Sequence, residues 1–246
     1  MKHSLNNKDS VVYRVIVHAV ALAGNGFVWA LAVWLVLSDS EWGRAGGWLL
    51  LGCKGLMLFT TAVGLLVHPA KALRIFAGRY RFARSPLRGI GQALTRFVWE
   101  LPQLWTGYLF AQWRNIVGRV ERVDTLEGVT FVTGRHWVPR AYAGVSLGCF
   151  ANMWVSGGIG DDFEQYAQHS PFNIFRHEYG HTVDSQLWGW LYLPVVGLPS
   201  LVSQALGLSP KARHRHDDFW AERRADRFGK RFFQDPPIIN SEHELH

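Results

Sequence analysis

The chain has little cysteine and little charge. Of its 246 residues only Cys53 and Cys149 carry thiols, which excludes a disulfide scaffold and a four-cysteine zinc site. Charged residues make up 18%, below the roughly 25% usual in soluble domains. With 48% hydrophobic residues the chain has far too much apolar surface for a mainly disordered protein. Acidic residues are missing altogether from His68 to Trp99, a stretch that holds Lys71, Arg74, Arg79, Arg81, Arg84, Arg88 and Arg96. Outside it the two signs balance, so the net charge of +7 belongs to one block. Internal repeats and low-complexity segments are also lacking. The length allows one large domain or two small ones.

What is present begins with two long apolar runs. Val15–Leu37 is 23 residues without a formal charge, and as a helix it extends about 34 Å, enough to cross a bilayer core. A signal peptide is the rival reading. Its apolar core would be shorter, and a small-residue cleavage site would follow instead of Trp34-Leu35-Val36-Leu37-Ser38-Asp39. Gly46–Val67 is a second run, interrupted by Lys54, whose burial at mid-membrane costs about 2.5–3.5 kcal/mol on insertion scales unless it snorkels or finds a partner helix. A buried core helix is the alternative here. The link Asp39–Ala45 is short, so the two runs form an antiparallel hairpin. Lys2, Lys8, Arg14 and the basic block flank its two ends, which places both ends in the cytoplasm. A basic block can also bind nucleic acid. Following directly on an apolar run, it reads as facing anionic lipid, and no nucleic-acid partner is expected. Phe97–Trp113 is apolar and aromatic but carries Glu100, Pro102 and Gln103, and reads as an interfacial or packed helix.

After Gly118 the texture changes. Val120–Val123, Gly128–Gly134 and Ala143–Trp154 read as short strands, and Gly157–Gln168 as a polar loop. Ser170 and Pro171 then suit the start of a helix, with Phe172, Phe175, Tyr179 and Val183 on one apolar face. Within it stands His177-Glu178-Tyr179-Gly180-His181. Two imidazoles one turn apart can both reach one Zn²⁺, and the carboxylate beside them can take a proton from water on the metal. Gly180 costs up to about 1 kcal/mol inside a helix and belongs where backbone or substrate approaches closely. Downstream, Phe219, Ala225 and Phe228 fall at helical spacing. Glu222 and Asp226 share one face there, so Glu222 can complete a three-ligand site while Asp226 accepts the second N–H of a ligating His. The alternative for both is a solvated face paired with Arg223, Arg224 or Arg227. His214 and His216 are rival ligands or oxyanion donors, or ordinary surface histidines. Tyr179 and Tyr192 are oxyanion donors or packing residues. Asp184 is a metal-supporting group or an ion-pair partner. His243 and His246 are three apart and read as part of a frayed tail.

The paired motifs His177-Glu178-Tyr179-Gly180-His181 and Glu222-Arg223-Arg224-Ala225-Asp226 resemble those of the gluzincin metallopeptidases. The Glu-x-x-Ala-Asp form looks most like the integral-membrane group that includes the CAAX prenyl endopeptidases and heat-shock membrane proteases. The resemblance implies Zn²⁺ on His177, His181 and Glu222, Glu178 as general base, Asp226 behind a ligand, and a peptide or protein substrate. The chain is short for that group.

The expected fold is α+β: a transmembrane helical hairpin (1–68), a basic and interfacial connector (69–117), a mainly helical zincin-like domain with a few short strands (118–234), and a flexible tail (235–246). One stretch constrains this plan. Leu187–Ser209 is 23 residues without a charge, but a single crossing would separate Glu222 from the histidines, and Pro194 and Pro199 interrupt it. It is therefore expected as a re-entrant or interfacial hairpin, or as buried core. Phe163–Asp184 is too polar for a zinc helix inside the bilayer, so the site is expected at the cytoplasmic surface. The expected activity is that of a membrane-anchored zinc peptidase. The alternatives are a non-enzymatic membrane protein with a structural or sensing zinc, and a membrane-surface binding module.

Overall fold

The fold is described from a computed structural model for residues 7–134, 143–155, 163, 167, 174–206 and 219–233. It is α+β, mostly helical with one small sheet. The chain opens with α1 (Asn7–Val36) and α2 (Glu41–Val67). The second helix starts ahead of the expected Gly46, because Ser40 caps it by accepting from the Gly43 N–H at 3.2 Å and Glu41 sits in its positive first turn. The link shrinks to residues 37–40. The helices touch where Gly47 faces α1: a Cβ there would lie 2.6 Å from the Val36 nitrogen. Both helices are long and apolar enough to cross a membrane, and only 17% and 22% of their apolar windows is buried, so most of their apolar surface lies outside the packed core. Lys54 is 5% exposed. Its ammonium donates to Asn25 Oδ1 of α1 and lies 5.5 and 5.8 Å from the rings of Trp29 and Trp105.

Three helices fold back onto this hairpin: α3 (Pro69–Gly78), α4 (Pro86–Arg96) and α5 (Leu101–Ile116), each with a proline in its first turn. Phe97, just after α4, packs at Gly24 of α1, and Gly64 of α2 lets Gln112 and Asn115 of α5 approach. The packed alternative holds for α5: Leu101, Leu104, Tyr108 and Ala111 are buried in a core that also takes in Val17 and Met57 of the hairpin and Val132 and Phe150 of the sheet. Two of the seven cations of the basic block, Arg79 and Arg96, are interior. Arg96 is buried and donates to the carbonyls of Arg79, Arg81 and Gly128. Arg79 lies buried against the rings of Phe76 and Tyr108.

The sheet holds β1 (Arg122–Leu126), β2 (Val129–Gly134), β3 (Ala143–Leu147) and β4 (Phe150–Trp154) in the order β1-β2-β4-β3. The central pair β2–β4 is parallel and the outer pairs are antiparallel. The single strand expected over Ala143–Trp154 is two strands. Gly148, at φ +59°, opens a two-residue turn that pairs Leu147 with Phe150, the position where a II′ hairpin requires glycine. Glu127 and Gly128 turn β1 into β2 with both φ values positive, the I′ pattern.

Behind the sheet lies α6 (Ile174–Trp188). Its Phe175, Tyr179 and Val183 pack against Phe131, Ala151 and Met153, which is the expected apolar face. Gly189, at φ +51°, ends the helix. A 3₁₀ turn (Gly189–Leu191) and a π turn (Leu193–Gly197) containing Pro194 lead to α7 (Leu198–Leu206). Within the described part of the uncharged stretch, 187–206, the chain is interrupted at Gly189, and the apolar helix that follows, Leu193–Ser203, is far below the roughly 20 residues a helical crossing needs. The last helix is α8 (Trp220–Phe232). The expected helix start at Ser170, Pro171 and Phe172 and the 235–246 tail lie outside the described residues, as does the polar loop apart from Phe163 and Ala167.

Candidate metal centre

The site is built by two helices that touch through glycine. A Cβ on Gly180 of α6 would lie 1.9 Å from the Ala225 carbonyl oxygen of α8, and one on Gly229 would lie 2.4 Å from the Arg176 carbonyl oxygen. Any side chain at either position forces the helices apart. The close approach that Gly180 serves is therefore to the backbone of the second motif. Arg224 of α8 reaches back through its Nε to Asp184 Oδ1 of α6 at 2.5 Å, so Asp184 is an ion-pair partner. Its carboxylate is fully buried.

That contact brings His177, His181 and Glu222 together. One candidate ligand atom from each lies within 4.8 Å of those of the other two. His177 Nε2 stands 3.0 Å from Glu222 Oε2, His181 Nε2 stands 3.2 Å from the same oxygen, and the two Nε2 atoms are 3.2 Å apart. Ligands at zinc bond lengths on tetrahedral corners are separated by about 3.3–3.5 Å. The three atoms therefore fit one small divalent cation with almost no movement. Glu222 is 4% exposed, so it does not lie on a solvated face, and its second oxygen accepts from the Ser200 hydroxyl of α7.

Asp226 Oδ1 lies 2.8 Å from His177 Nδ1. A proton held there leaves the Nε2 lone pair directed at the cluster. His181 has no equivalent support among the described residues, since its Nδ1 is buried without a partner. Glu178 is 4% exposed and seated on β3. The Ser146 hydroxyl lies 2.7 Å from its Oε2 and 2.9 Å from its carbonyl oxygen, and a Cβ on Gly144 would come within 2.2 Å of its Oε1. Tyr192, weighed as an oxyanion donor, donates its hydroxyl proton to the Ser146 carbonyl at 3.0 Å. Tyr179 packs edge-on against Phe232 and Phe233. His214 and His216 lie outside the described residues.

The charges are tightly coupled. Burial alone would lower the pKa of His177, but its hydrogen bonds to Asp226 and Glu222 raise it to about 10. Glu222 is pushed up by burial and pulled far below the carboxylate range by His177, His181 and Ser200. Asp226 is held down by its bond to His177. Burial raises Asp184, which Arg224 only partly offsets. Two nitrogens and one carboxylate oxygen converging in this way form a donor set for a borderline cation such as Zn²⁺.

The spacing within each motif pointed to the ligand types. Ser146, Gly144 and Ser200 had no such signal, because each meets the site across a long gap in sequence. No protein-family model, no curated protein and no solved structure matches the chain.

Proposed function

We propose that this chain is a membrane-anchored zinc-dependent peptidase of the gluzincin kind. The observation that carries the reading is the convergence of His177 Nε2, His181 Nε2 and Glu222 Oε2 to 3.0–3.2 Å, with Glu178 beside them and Asp226 behind His177. In this reading α1 and α2 span the bilayer as a hairpin with both ends in the cytoplasm, and the body carrying residues 118–234 packs beside that hairpin with its site open to the cytoplasm, where it acts on a peptide or protein substrate.

Zinc on His177, His181 and Glu222 would supply Lewis acidity, polarising the scissile carbonyl and acidifying water. The chain's own residues do the rest. Glu178 accepts a proton from the attacking water as oxygen adds to the carbonyl carbon, then delivers it to the amine nitrogen as the C–N bond breaks. Ser146 holds the Glu178 carboxylate in one place on the edge strand, so it does not have to be ordered during the reaction. Asp226 fixes the ring of His177.

Metal content per chain of the detergent-purified protein tests the reading. Wild type is expected to hold close to one zinc, and His181→Ala and Glu222→Ala none. Glu178→Gln is expected to keep the zinc and lose peptide hydrolysis by at least about a hundredfold, the usual contribution of a general base. Wild type without zinc overturns the metal site. A Glu178→Gln protein that cleaves as fast as wild type overturns the mechanism.

A further inference from the structure

We propose that the body carries a second membrane-docking surface, formed by the turn Val98–Trp99 between α4 and α5 and the turn Trp190–Leu191 after α6, and that its occupant is the acyl region of the bilayer beside the hairpin. The inference rests on the reading of α1 and α2 as membrane-spanning.

The two turns form one surface. Trp99 Nε1 donates to the Gln186 carbonyl at 3.1 Å, and Trp190 Nε1 donates to the Val98 carbonyl at 2.7 Å. Each indole thus braces the opposite segment. Gly189 makes room for this, since a Cβ there would fall 2.1 Å from the Trp99 ring. With both N–H groups bonded to carbonyls of the protein itself, what the rings turn outward is carbon. Trp190 is 54% and Leu191 53% exposed, and Val98 and Trp99 are 40% and 44% exposed. A tryptophan that sits at a water boundary usually directs its N–H toward water. Here neither does.

The charges nearby turn away from this surface. Glu100, the next residue along, is 1% exposed and accepts from the hydroxyls of Thr95 at 2.7 Å and Ser185 at 3.3 Å. Arg96, two residues before Val98, is spent on interior carbonyls. An apolar surface facing water has no need for its flanking acid and base both to be withdrawn. A surface facing hydrocarbon does.

Position identifies the occupant. Phe97, adjoining Val98, packs at Gly24, which lies halfway along the 11–36 stretch of α1, about 20 Å from its start by helical rise. Trp105 of α5 lies over Lys54, halfway along α2. The two turns are therefore level with the middle of the hairpin, and the bare side chain of Phe27 lies one helical turn from Gly24 on an adjoining face of α1. The turns continue the hairpin's apolar flank. A bilayer thick enough to cover α1 and α2 reaches them as well.

The test uses the full chain in vesicles of phosphatidylcholine and phosphatidylglycerol containing a phospholipid with a photoactivated carbene source in its acyl chain, with adducts located by peptide mass spectrometry. A water-soluble carbene source is used in parallel. Lipid adducts are expected on 98–99 and 190–191 as well as on α1 and α2, with the aqueous reagent leaving all four unlabelled. Lipid adducts on α1 and α2 alone, with aqueous labelling of the turns, overturn the second surface and leave the anchor standing. Protection of the turns from both reagents means that protein covers them, which also overturns it. No lipid adducts anywhere overturn the anchor and this inference together, without bearing on zinc.

Discussion

The molecule is organised around two helix pairs, α1–α2 and α6–α8, that solve the same packing problem for opposite purposes. Each closes through glycine: Gly47 against Val36 in the first pair, Gly180 against Ala225 in the second. In the first pair the contact is an end in itself. It holds two apolar rods together and leaves most of their side chains facing outward. In the second the close approach aligns polar groups, setting two imidazoles against a carboxylate and Asp184 against Arg224. The cations at the two pairs, Lys54 buried and Arg224 half-buried, differ accordingly. Lys54 is met by a neutral amide and two aromatic faces. Arg224 is met by a fully buried carboxylate. A cation bonded to a neutral partner can be removed without stranding a charge. One bonded to a buried anion cannot.

Replacing Arg224 with Met should therefore have the largest effect on stability. It leaves Asp184 fully buried and without its ion-pair partner, and breaking a buried pair from one side costs about 3–5 kcal/mol. The denaturation midpoint of the detergent-solubilised chain should fall steeply at pH 7. The loss should shrink as the pH is lowered, because burial already raises the Asp184 pKa and protonation removes the stranded charge. A change below about 1 kcal/mol, typical of surface pairs, would mean that the pair does not clamp α6 to α8.

A smaller effect separates the pairs by pH. His177 holds its proton up to about pH 10, while a metal needs the Nε2 lone pair. Below that pH each cation bound at His177 displaces one proton, so apparent zinc affinity should rise about tenfold per pH unit between 6 and 9. Competition against a chelator of known affinity at several pH values measures the slope. An affinity independent of pH would mean that His177 does not bind through a titrating nitrogen.

The two pairs were also legible in the sequence to different degrees. Run length alone marked α1 and α2, because an apolar segment needs no partner in sequence to be recognised. The candidate ligands on α6 and α8 stood out by spacing, since i and i+4 place His177 over His181 whatever the tertiary fold. The limits were set by contacts between distant residues. Gly148 read as part of a strand because alternation continues across it, and only its positive φ breaks the run into β3 and β4. Ser146 and Ser200 are ordinary serines until the fold sets them against Glu178 and Glu222. Two cations of the basic block were not legible as interior. Charge counting treats Arg79 and Arg96 as surface, whereas both are turned inward onto carbonyls and rings, as the delocalised and weakly hydrated guanidinium allows.

Lys54→Met gives the smallest expected change, and its sign tests the comparison most directly. Removing the ammonium forfeits a desolvated cation–π contact of about 2 kcal/mol. It also strips Asn25 Oδ1 of a donor, worth about 1–3 kcal/mol for an unsatisfied buried acceptor. Against this, in the membrane-spanning reading Met avoids the insertion cost of a lysine at mid-bilayer, about 2.5–3.5 kcal/mol, and fills a similar volume. These contributions oppose each other and nearly cancel. Asn25 keeps its other bond, to the Tyr80 hydroxyl at 3.3 Å, so its side chain stays oriented. The denaturation midpoint should move by no more than about 1 kcal/mol in equivalent stability, within the range of an ordinary tolerated substitution. A drop as large as that expected for Arg224→Met would show that Lys54 clamps the hairpin as Arg224 clamps α6 to α8, and the distinction between the two helix pairs would fall.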